Sequence, residues 1–532
     1  MTSPLNGVFP DSPELTGRIG GSLGKRARVG GIWYDPVPWT IGAALVSWLI
    51  GMLRQVPCIQ SNPEEAINPI PRLCYSDIGV LYASQSALHG GGSVWAENSA
   101  SDYPPLIGYL ITFVRWISKL LGAKVEPGVT GTDLLHATNM FFALNAILLF
   151  GCFVALIIIH LRLGAKVAVK HTQGIQLRAW DAVFIALSPA IMTAALINWD
   201  LWAVMLVSLV LLLWARRKPL AAGVVAGVAC ATKFYPLALI PVLLLLCVRA
   251  GKGRAFLTFF GGGIASWLIL NLPLLFTDKA AWLAFYTHNA ARGAELGSIW
   301  YVLQLAGVKW SGPLLVSALM IAGIAIGGVF IIMEVLDAPR RPRVPQVMLL
   351  VLVIFLVFNK VYSPQYVLWL LPFVVLARPK LLDVAVWSTA ELAYFFAIWG
   401  FLGGVLGPGT GADRLYWLIV MLRILVQFWV FGRVIHDIRN PWDDPVRVPY
   451  VDDPVGGILD HESDASWVQP RRARAAGLPV AKAHNKEPHH TDGSELGNNF
   501  VASSSGADVK LTDRSPELPR LASNTMLLSD EE

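Results

Sequence analysis

Charged residues are scarce in this chain. They make up 15% of its 532 residues, whereas hydrophobic residues make up 55%, and the mean hydropathy is +0.55. A soluble domain needs more charge to cover its surface, so the composition excludes that class and predicts a protein whose solvent is lipid. The net charge of +6 does not indicate nucleic-acid binding, because the basic residues lie in short loops beside apolar runs.

The sequence also lacks the motifs of several enzyme classes. It has no metal-ligand spacing, no glycine-rich phosphate loop and no nucleophile elbow. We therefore expect no metal and no other cofactor. No cleavable signal pattern precedes the first apolar run, because residues 1–36 are polar and lead directly into it.

Cysteine is rare, with five residues in the chain. Cys152, Cys230 and Cys247 lie in apolar runs and are expected to be small core residues. Cys58 and Cys74 lie together in the first long loop, where an oxidising compartment would allow a disulfide. Spacing alone leaves that pairing open.

Apolar segments recur along most of the chain. A helix needs about 20 apolar residues to cross the hydrocarbon core of a bilayer. We predict an all-α polytopic membrane protein with about twelve transmembrane segments: 37–54, 135–161, 180–197, 198–215, 219–232, 234–248, 255–277, 312–335, 346–358, 364–377, 381–402 and 415–433. The short pairs at 219–248 and 346–377 are predicted to be hairpins that dip toward the outer leaflet, each with a proline near its tip.

Basic residues set the predicted orientation. With twelve crossings, the basic loops at 162–178, 216–218, 249–254, 340–343 and 378–380 fall on the side of the N-terminus, which is therefore cytoplasmic. The stretch 103–121 would reverse this pattern if it crossed the membrane. Because it opens with prolines and is amphipathic, with Gly108, Thr112, Arg115 and Lys119 on one face, we predict that it lies flat on the outer surface.

These assignments divide the chain into three parts. Residues 1–36 form a cytoplasmic N-terminus, and residues 37–433 form the membrane domain with external loops at 55–134 and 278–311. Residues 434–532 are rich in polar residues and proline, and we predict a disordered cytoplasmic tail without chemistry of its own.

Asp77 in the first external loop is the candidate general base. It follows an aromatic residue and precedes an apolar run, and a partly dry setting raises the pKa of a carboxyl group toward the range useful for proton transfer. The competing interpretation is a helix N-cap formed by Ser76 or Asp77. Asp102 and Tyr103 are candidates for substrate contact, although Asp102 precedes two prolines and is even more typical of a cap.

Cations at the two hairpin tips and in the second external loop are candidates for binding a phosphate group. The tips contain Lys233 with Tyr235, and Lys360 with Tyr362 and Gln365; the loop contains Arg292 and His288. The competing interpretation for each lysine is a side chain that extends to the lipid headgroups. Asp200 is expected to cap the helix that it opens, with substrate contact as the second interpretation.

Glu391 and Arg423 are ionisable residues deep within predicted spans, which makes them functional candidates in general. Counted along two sequence-adjacent antiparallel helices, both lie at similar depth. We therefore predict that they form a structural ion pair.

Several motifs, in this order along the chain, resemble those of one family. They are Tyr75-Ser-Asp-Ile78, Asp102-Tyr-Pro-Pro-Leu106, Asn198-Trp-Asp-Leu201, Ala231-Thr-Lys-Phe-Tyr-Pro236, Arg292-Gly-Ala-Glu-Leu-Gly-Ser-Ile-Trp300 and Ser363-Pro-Gln-Tyr-Val-Leu-Trp-Leu-Leu-Pro372. Over roughly 37–433 the chain resembles glycosyltransferase family 87, the actinobacterial mannosyltransferase-like membrane proteins of the GT-C superfamily.

The resemblance implies a GT-C-like fold whose long first external loop carries membrane-parallel helices and an acidic base, which Asp77 matches. It also implies an inverting transferase of the bacterial plasma membrane. Such an enzyme moves a hexose, typically mannose, from a polyprenyl-phosphate sugar to a glycolipid or glycan acceptor outside the cytoplasm, without a metal, and serves the synthesis of the cell envelope.

Two other functions remain open from the sequence alone. A transporter or flippase of lipid-linked sugars also fits twelve spans and broken helices, although two matching halves would then be expected. A non-catalytic membrane scaffold would need no Asp77.

Overall fold

The computed structural model describes residues 35–60, 62–65, 67–95, 103–165, 177–447 and 453–468. Over this part of the chain every regular element is a helix and no strand occurs. In chain order the α-helices are α1 Pro36–Gln55, α2 Asp77–Ser84, α3 Ser86–His89, α4 Pro105–Leu120, α5 Gly131–Ala165, α6 Ala182–Ala186, α7 Pro189–Ala194, α8 Asp200–Ala215, α9 Pro219–Cys230, α10 Leu239–Arg249, α11 Gly253–Thr277, α12 Lys279–Ala291, α13 Ile299–Leu305, α14 Pro313–Asp337, α15 Val344–Phe358, α16 Val367–Ala377, α17 Leu381–Leu402 and α18 Asp413–Arg439.

Six of the described helices (α1, α5, α11, α14, α17 and α18) are long and apolar enough to cross a membrane. Shorter apolar helical segments occupy the positions of the six other predicted spans: Ala179–Ala194, Asp200–Ala215, Pro219–Cys230, Tyr235–Arg249, Val344–Phe358 and Pro364–Ala377. The chain is therefore an all-helical protein of membrane character. The count of twelve crossings and the GT-C-like arrangement stay predictions.

The two predicted hairpins contain breaks in the helix at their expected tips. Helix α9 ends at Cys230, and a short 3₁₀ helix, Tyr235–Ala238, precedes α10. Helix α15 ends at Phe358, and the 3₁₀ helix Pro364–Tyr366 precedes α16. A proline at the second or first position of each 3₁₀ turn cannot donate to a preceding helical carbonyl, so the helix must restart there.

The described residues of the predicted first external loop contain three α-helices, α2, α3 and α4. The sulfur atoms of Cys58 and Cys74 are joined, with 5.9 Å between the two Cα atoms, and close the segment that leads into α2. Helix α4 begins with Pro105 at its first position, where the missing N–H is not needed.

The predicted polar face of α4 was partly wrong. Gly108 is buried, because the Trp95 ring occupies the place where a side chain would lie. Arg115 is not a free surface cation; it donates to the carbonyl of Gly92 at 2.7 Å. Phe113 and Trp116 are exposed together with Thr112 and Lys119, so the face of α4 turned away from the protein contains both apolar and polar side chains.

The prediction that the tail is disordered from residue 434 was also wrong for its first part. Helix α18 continues to Arg439, and residues 453–468 pack against loops that follow the shorter helices. Asp464 accepts hydrogen bonds from Arg249 at 2.6 Å and from Arg341 at 3.1 Å. Buried guanidinium groups require carboxylate partners, which explains why this acidic segment is ordered despite its polar composition. Residues 469–532 lie outside the described part of the chain.

Glu391 and Arg423 are paired, as the sequence predicts. The Arg423 Nε lies 3.0 Å from both Glu391 carboxylate oxygens, and both residues are buried. The Arg423 guanidinium also lies 3.5 Å from the centre of the Tyr362 ring and donates to the Tyr362 carbonyl at 3.1 Å. The pair thus holds the backbone at the tip of the second hairpin.

Candidate active site

Asp77 is the first residue of α2, but it does not cap that helix. Ser76 is the N-cap, and its hydroxyl accepts the Ile78 N–H at 3.3 Å. The Asp77 N–H donates to the Ile197 carbonyl at 2.8 Å, which fixes the start of α2 against the turn before α8. The cap interpretation therefore applies to Ser76, and the Asp77 carboxylate is left for other contacts.

Asn198 connects the groups around Asp77. Its Nδ2 donates to Asp77 Oδ2 at 2.7 Å and lies 2.9 Å from the Tyr103 hydroxyl. The Asn198 Oδ1 accepts the Trp199 backbone N–H at 2.6 Å. The same oxygen lies 3.5 Å from Lys233 Nζ. Because an amide has both donor and acceptor atoms, one buried Asn198 can contact a carboxylate and a cation at once.

Lys233 at the first hairpin tip contacts an acidic residue and an aromatic ring. Its Nζ is 3.5 Å from Asp200 Oδ2, and it also lies 5.4 Å from the centre of the Tyr103 ring. Asp200 is fully buried, and its other oxygen accepts the Trp369 indole N–H at 2.7 Å. The expectation that Asp200 caps α8 was therefore wrong. Its carboxylate instead compensates the positive charge of Lys233.

The surroundings of Asp77 favour a base with an elevated proton affinity. Burial raises the pKa of Asp77 above its ordinary value; hydrogen bonds from Tyr75 and Asn198 and the charge of Lys233 act against that rise, while the charge of Asp200 adds to it. A carboxylate held by donors, yet harder to ionise than one in water, is suited to accept a proton near neutral pH.

Arg292, Glu295 and Lys360 form a second charged cluster. Arg292 Nε donates to Glu295 Oε1 at 2.6 Å, and the Glu295 N–H donates to the Lys360 carbonyl at 2.9 Å. Lys360 Nζ donates to the Ala290 carbonyl and contacts the Ser317 hydroxyl, both at 3.0 Å. Burial and the Arg292 charge lower the pKa of Lys360. Buried and bound in this way, Lys360 joins the second hairpin tip to α12 and α14.

Tyr366 and Trp369 link the two clusters. The Tyr366 ring stacks on Trp369 with 3.8 Å between their centres, and Trp369 in turn binds Asp200. The Tyr366 hydroxyl lies within electrostatic range of both Arg292 and Asp200. The Tyr235 ring also stacks on Trp369, with 4.6 Å between the ring centres. The tips of the two hairpins therefore meet at the indole ring of Trp369.

The remaining candidates differ in their burial. The Tyr362 ring is fully buried against Arg423, and the Tyr235 ring is also buried, so substrate contact by either tyrosine stays a prediction. His288 is exposed on α12, one turn before Arg292, and Gln365 is buried in its 3₁₀ turn. Asp102 lies outside the described residues.

Sequence reasoning gave no role to Asn198, Tyr75, Tyr366 or Trp369. Asn198 and Tyr75 stand directly beside candidates within short polar motifs, which is a usable signal. Nothing in the sequence indicates that Trp369 would reach Asp200, 169 positions away.

An apolar groove adjoins the first hairpin tip. It has a volume of about 590 Å³ and is lined by apolar side chains of α10, α14 and α15 together with Phe234 and Tyr235, which directly follow Lys233. A charged tip thus stands beside a cavity that suits a hydrocarbon chain. Among the described residues, no group of three or more His, Cys, Asp or Glu side chains could hold a metal ion.

Comparison with known proteins identifies the family. No curated protein matches the chain significantly. The model of glycosyltransferase family 87 matches residues 103–358, a range that contains Asn198, Asp200, Lys233 and Arg292 but begins after Asp77. The chain therefore belongs to glycosyltransferase family 87.

Proposed function

We propose that this glycosyltransferase inverts the anomeric centre of a hexose, which we expect to be mannose, as it moves the sugar from a polyprenyl phosphate to a glycolipid or glycan acceptor. The reaction takes place on the extracytoplasmic side of the plasma membrane, with both termini in the cytoplasm. The observation that carries the proposal is the Asp77 carboxylate, which is free of capping and held by Asn198 at 2.7 Å beside Lys233.

In this proposal Asp77 acts as the general base. It accepts the proton of the acceptor hydroxyl while that oxygen forms a bond to the anomeric carbon of the donor. The bond between that carbon and the phosphate oxygen breaks, and its electron pair leaves with the polyprenyl phosphate. Asn198 keeps the carboxylate oriented, which lowers the cost of reaching the reactive geometry.

Lys233 is the proposed contact for the departing phosphate. Its ammonium is partly exposed and lies near Asp77, so it can stabilise charge that develops on the phosphate in a water-poor site. Arg292 is the second cation in the proposal. It already binds Glu295, so its guanidinium is fixed in place rather than mobile. Lys360 holds the second tip in position.

The lipid part of the donor is proposed to lie in the apolar groove beside Lys233. A groove of about 590 Å³ with an almost entirely apolar lining favours hydrocarbon and cannot satisfy polar groups. A donor that enters from the membrane would then place its phosphate at the hairpin tip and its sugar toward Asp77.

Transfer by purified protein tests the proposal. The wild type and Asp77→Asn are incubated in nanodiscs with labelled polyprenyl-phosphomannose and a membrane-lipid acceptor pool. We expect transfer by the wild type and a loss of at least about 100-fold in Asp77→Asn, which is the lower range for general-base catalysis. Asp133→Asn is the control, because Asp133 is half-exposed at the start of α5 and forms a surface ion pair with Lys124. Equal activity of Asp77→Asn and the wild type would remove Asp77 from the mechanism, and no transfer across several donor sugars would contradict the function.

The orientation is tested separately with topology reporters at positions 130, 170 and 290. We expect 130 and 290 outside and 170 in the cytoplasm. Position 130 in the cytoplasm together with position 170 outside would mean that 103–121 crosses the membrane.

A further inference from the structure

A second cavity lies beside α2, lined by residues other than Asp77 and Lys233. Its volume is about 410 Å³, and it lies between α2, the start of α5 and the loop that Cys58 and Cys74 close. This volume falls within the roughly 300–1,000 Å³ of small-molecule sites. The proposed reaction assigns no part to it.

The lining of this cavity is polar but uncharged. Among the described residues that line it none carries a charge, and its polar members are amides and hydroxyls: Gln55, Gln60, Ser76, Ser84, Thr138 and Asn139. Phe142 and Val80 add apolar surface. Amides and hydroxyls match the alternating donors and acceptors of sugar hydroxyls, and apolar side chains match the hydrocarbon face of a sugar ring. A phosphate or carboxylate would find no cation there.

The cavity is close to the proposed base along the surface of α2. Ser76, which directly precedes Asp77, lines it together with Gly79, Val80, Ala83 and Ser84. At about 100° per residue the centre of this face of α2 lies roughly 90° around the helix axis from Asp77. The cavity therefore lies on a face of α2 that adjoins the face of Asp77, and it begins at the residue next to Asp77 in the sequence.

The external loop holds one wall of the cavity in place. Asn139 Nδ2 donates to the Gln60 carbonyl at 3.0 Å, which ties the loop to α5. Arg72 donates to the Pro57 carbonyl at 2.9 Å and closes the base of the loop beside the disulfide. The cavity is thus a shaped site rather than a gap between mobile segments.

We propose that this cavity is a subsite for a neutral saccharide unit of the acceptor, one sugar removed from the hydroxyl that reacts. The inference rests on the proposed function. It predicts that the enzyme prefers acceptors with at least two sugar units, because a single unit at Asp77 leaves the cavity unfilled.

Synthetic acceptors test this subsite. Octyl α-mannosides with one, two and three sugar units are offered with labelled polyprenyl-phosphomannose to the wild type, Ser84→Phe and Asn139→Leu. Ser84 is exposed at the cavity rim, so the phenyl ring can fill the cavity without disturbing the core. Thr258→Phe is the matched control, because Thr258 is an exposed hydroxyl residue on α11.

For the wild type we expect a KM that is at least about 10-fold lower for the disaccharide than for the monosaccharide, which corresponds to one or two hydrogen bonds. Ser84→Phe and Asn139→Leu should remove this difference while donor hydrolysis without acceptor and kcat for the monosaccharide stay unchanged. An unchanged KM for the disaccharide in both variants would overturn the subsite.

Direct binding separates this inference from the proposed function. If the wild type transfers no sugar, binding of tritiated octyl dimannoside to protein in nanodiscs decides the matter. Saturable binding that Ser84→Phe abolishes and Thr258→Phe retains supports a saccharide site, whereas no binding, or binding equal in both variants, overturns it.

Discussion

The Glu391–Arg423 pair permits a sharp test of how the second hairpin tip is held. Arg423 is fully buried and bound to both oxygens of Glu391, which also accepts the Gln427 amide at 2.6 Å. Replacing either charged residue by methionine leaves the other charge buried without its partner. Each single replacement is therefore expected to lower the free energy of unfolding by about 3–5 kcal/mol.

The double replacement Glu391→Met with Arg423→Met should cost much less than the sum of the two. It removes both charges, and the Tyr362 carbonyl keeps its hydrogen bond from the Tyr394 hydroxyl at 3.3 Å. The losses are the hydrogen bond of the Gln427 amide and the contacts of Arg423 with the Tyr362 and Tyr394 rings, at about 1 kcal/mol each. We therefore expect a total loss of about 2 kcal/mol, measured by denaturant titration in mixed micelles.

The exposed pair of Lys124 and Asp133 provides the control. The same cycle there should produce no measurable change, because both side chains are largely in water. If the double variant at Glu391 and Arg423 is as unstable as the two single variants combined, the residues do not stabilise the fold through each other, and our interpretation of this pair is refuted.

Three other predictions concern the site and its loops. Asp77 must be ionised to accept a proton, and burial raises its pKa, so kcat/KM in a transfer assay should fall as the pH drops through a value above the ordinary aspartate pKa of about 4. Because the hydrogen bond from Asn198 lowers the Asp77 pKa, Asn198→Ala should move this fall in kcat/KM to higher pH. Gly297→Ala should destabilise the protein by about 2–4 kcal/mol in a thermal unfolding experiment, because Gly297 has φ +78° and a Cβ atom there would collide with the Tyr394 hydroxyl and the Tyr362 carbonyl. Gly293→Ala should be neutral in the same experiment, because a Cβ atom at Gly293 would meet no other atom. Replacing both Cys58 and Cys74 by serine should lower the free energy of unfolding by about 3 kcal/mol, as expected for the removal of a cross-link with a sequence separation of 16, and reduction of the wild type should reproduce the loss.

Local sequence patterns predict the helices and their breaks well. Apolar length and the prolines at 236 and 364 determine where a membrane-type helix can form and where it must restart. The pairing of Glu391 with Arg423 was also predictable, because depth along two adjacent helices follows from counting residues. These features depend on near neighbours in the sequence.

The contacts of the site depend on groups that are distant in the sequence. Asp77 and Asn198 are separated by 121 positions, and Asp200 and Trp369 by 169. A helix cap and a catalytic carboxylate have the same local sequence signature. The structure distinguishes them by their contacts, because the Ser76 hydroxyl accepts the Ile78 N–H as a cap, whereas the Asp77 carboxylate accepts the amide of the distant Asn198. The same limit applies to Tyr362, whose motif resembles that of Tyr235 although its ring packs against Arg423, 61 positions away.

The basic loops show why one sequence signal can have two physical causes. Arg249, Arg341 and Arg343 were assigned to the cytoplasmic side because positive residues accumulate there. In the structure all three are buried and bound to carboxylates, with Arg343 Nε 2.8 Å from Asp444. A charge needed only for orientation would remain in water, whereas a buried one requires a specific partner. Asp444 and Asp464, which supply these partners, therefore belong to the folded part of the chain, and the positive charges join the ends of α10, α14 and α15 to them.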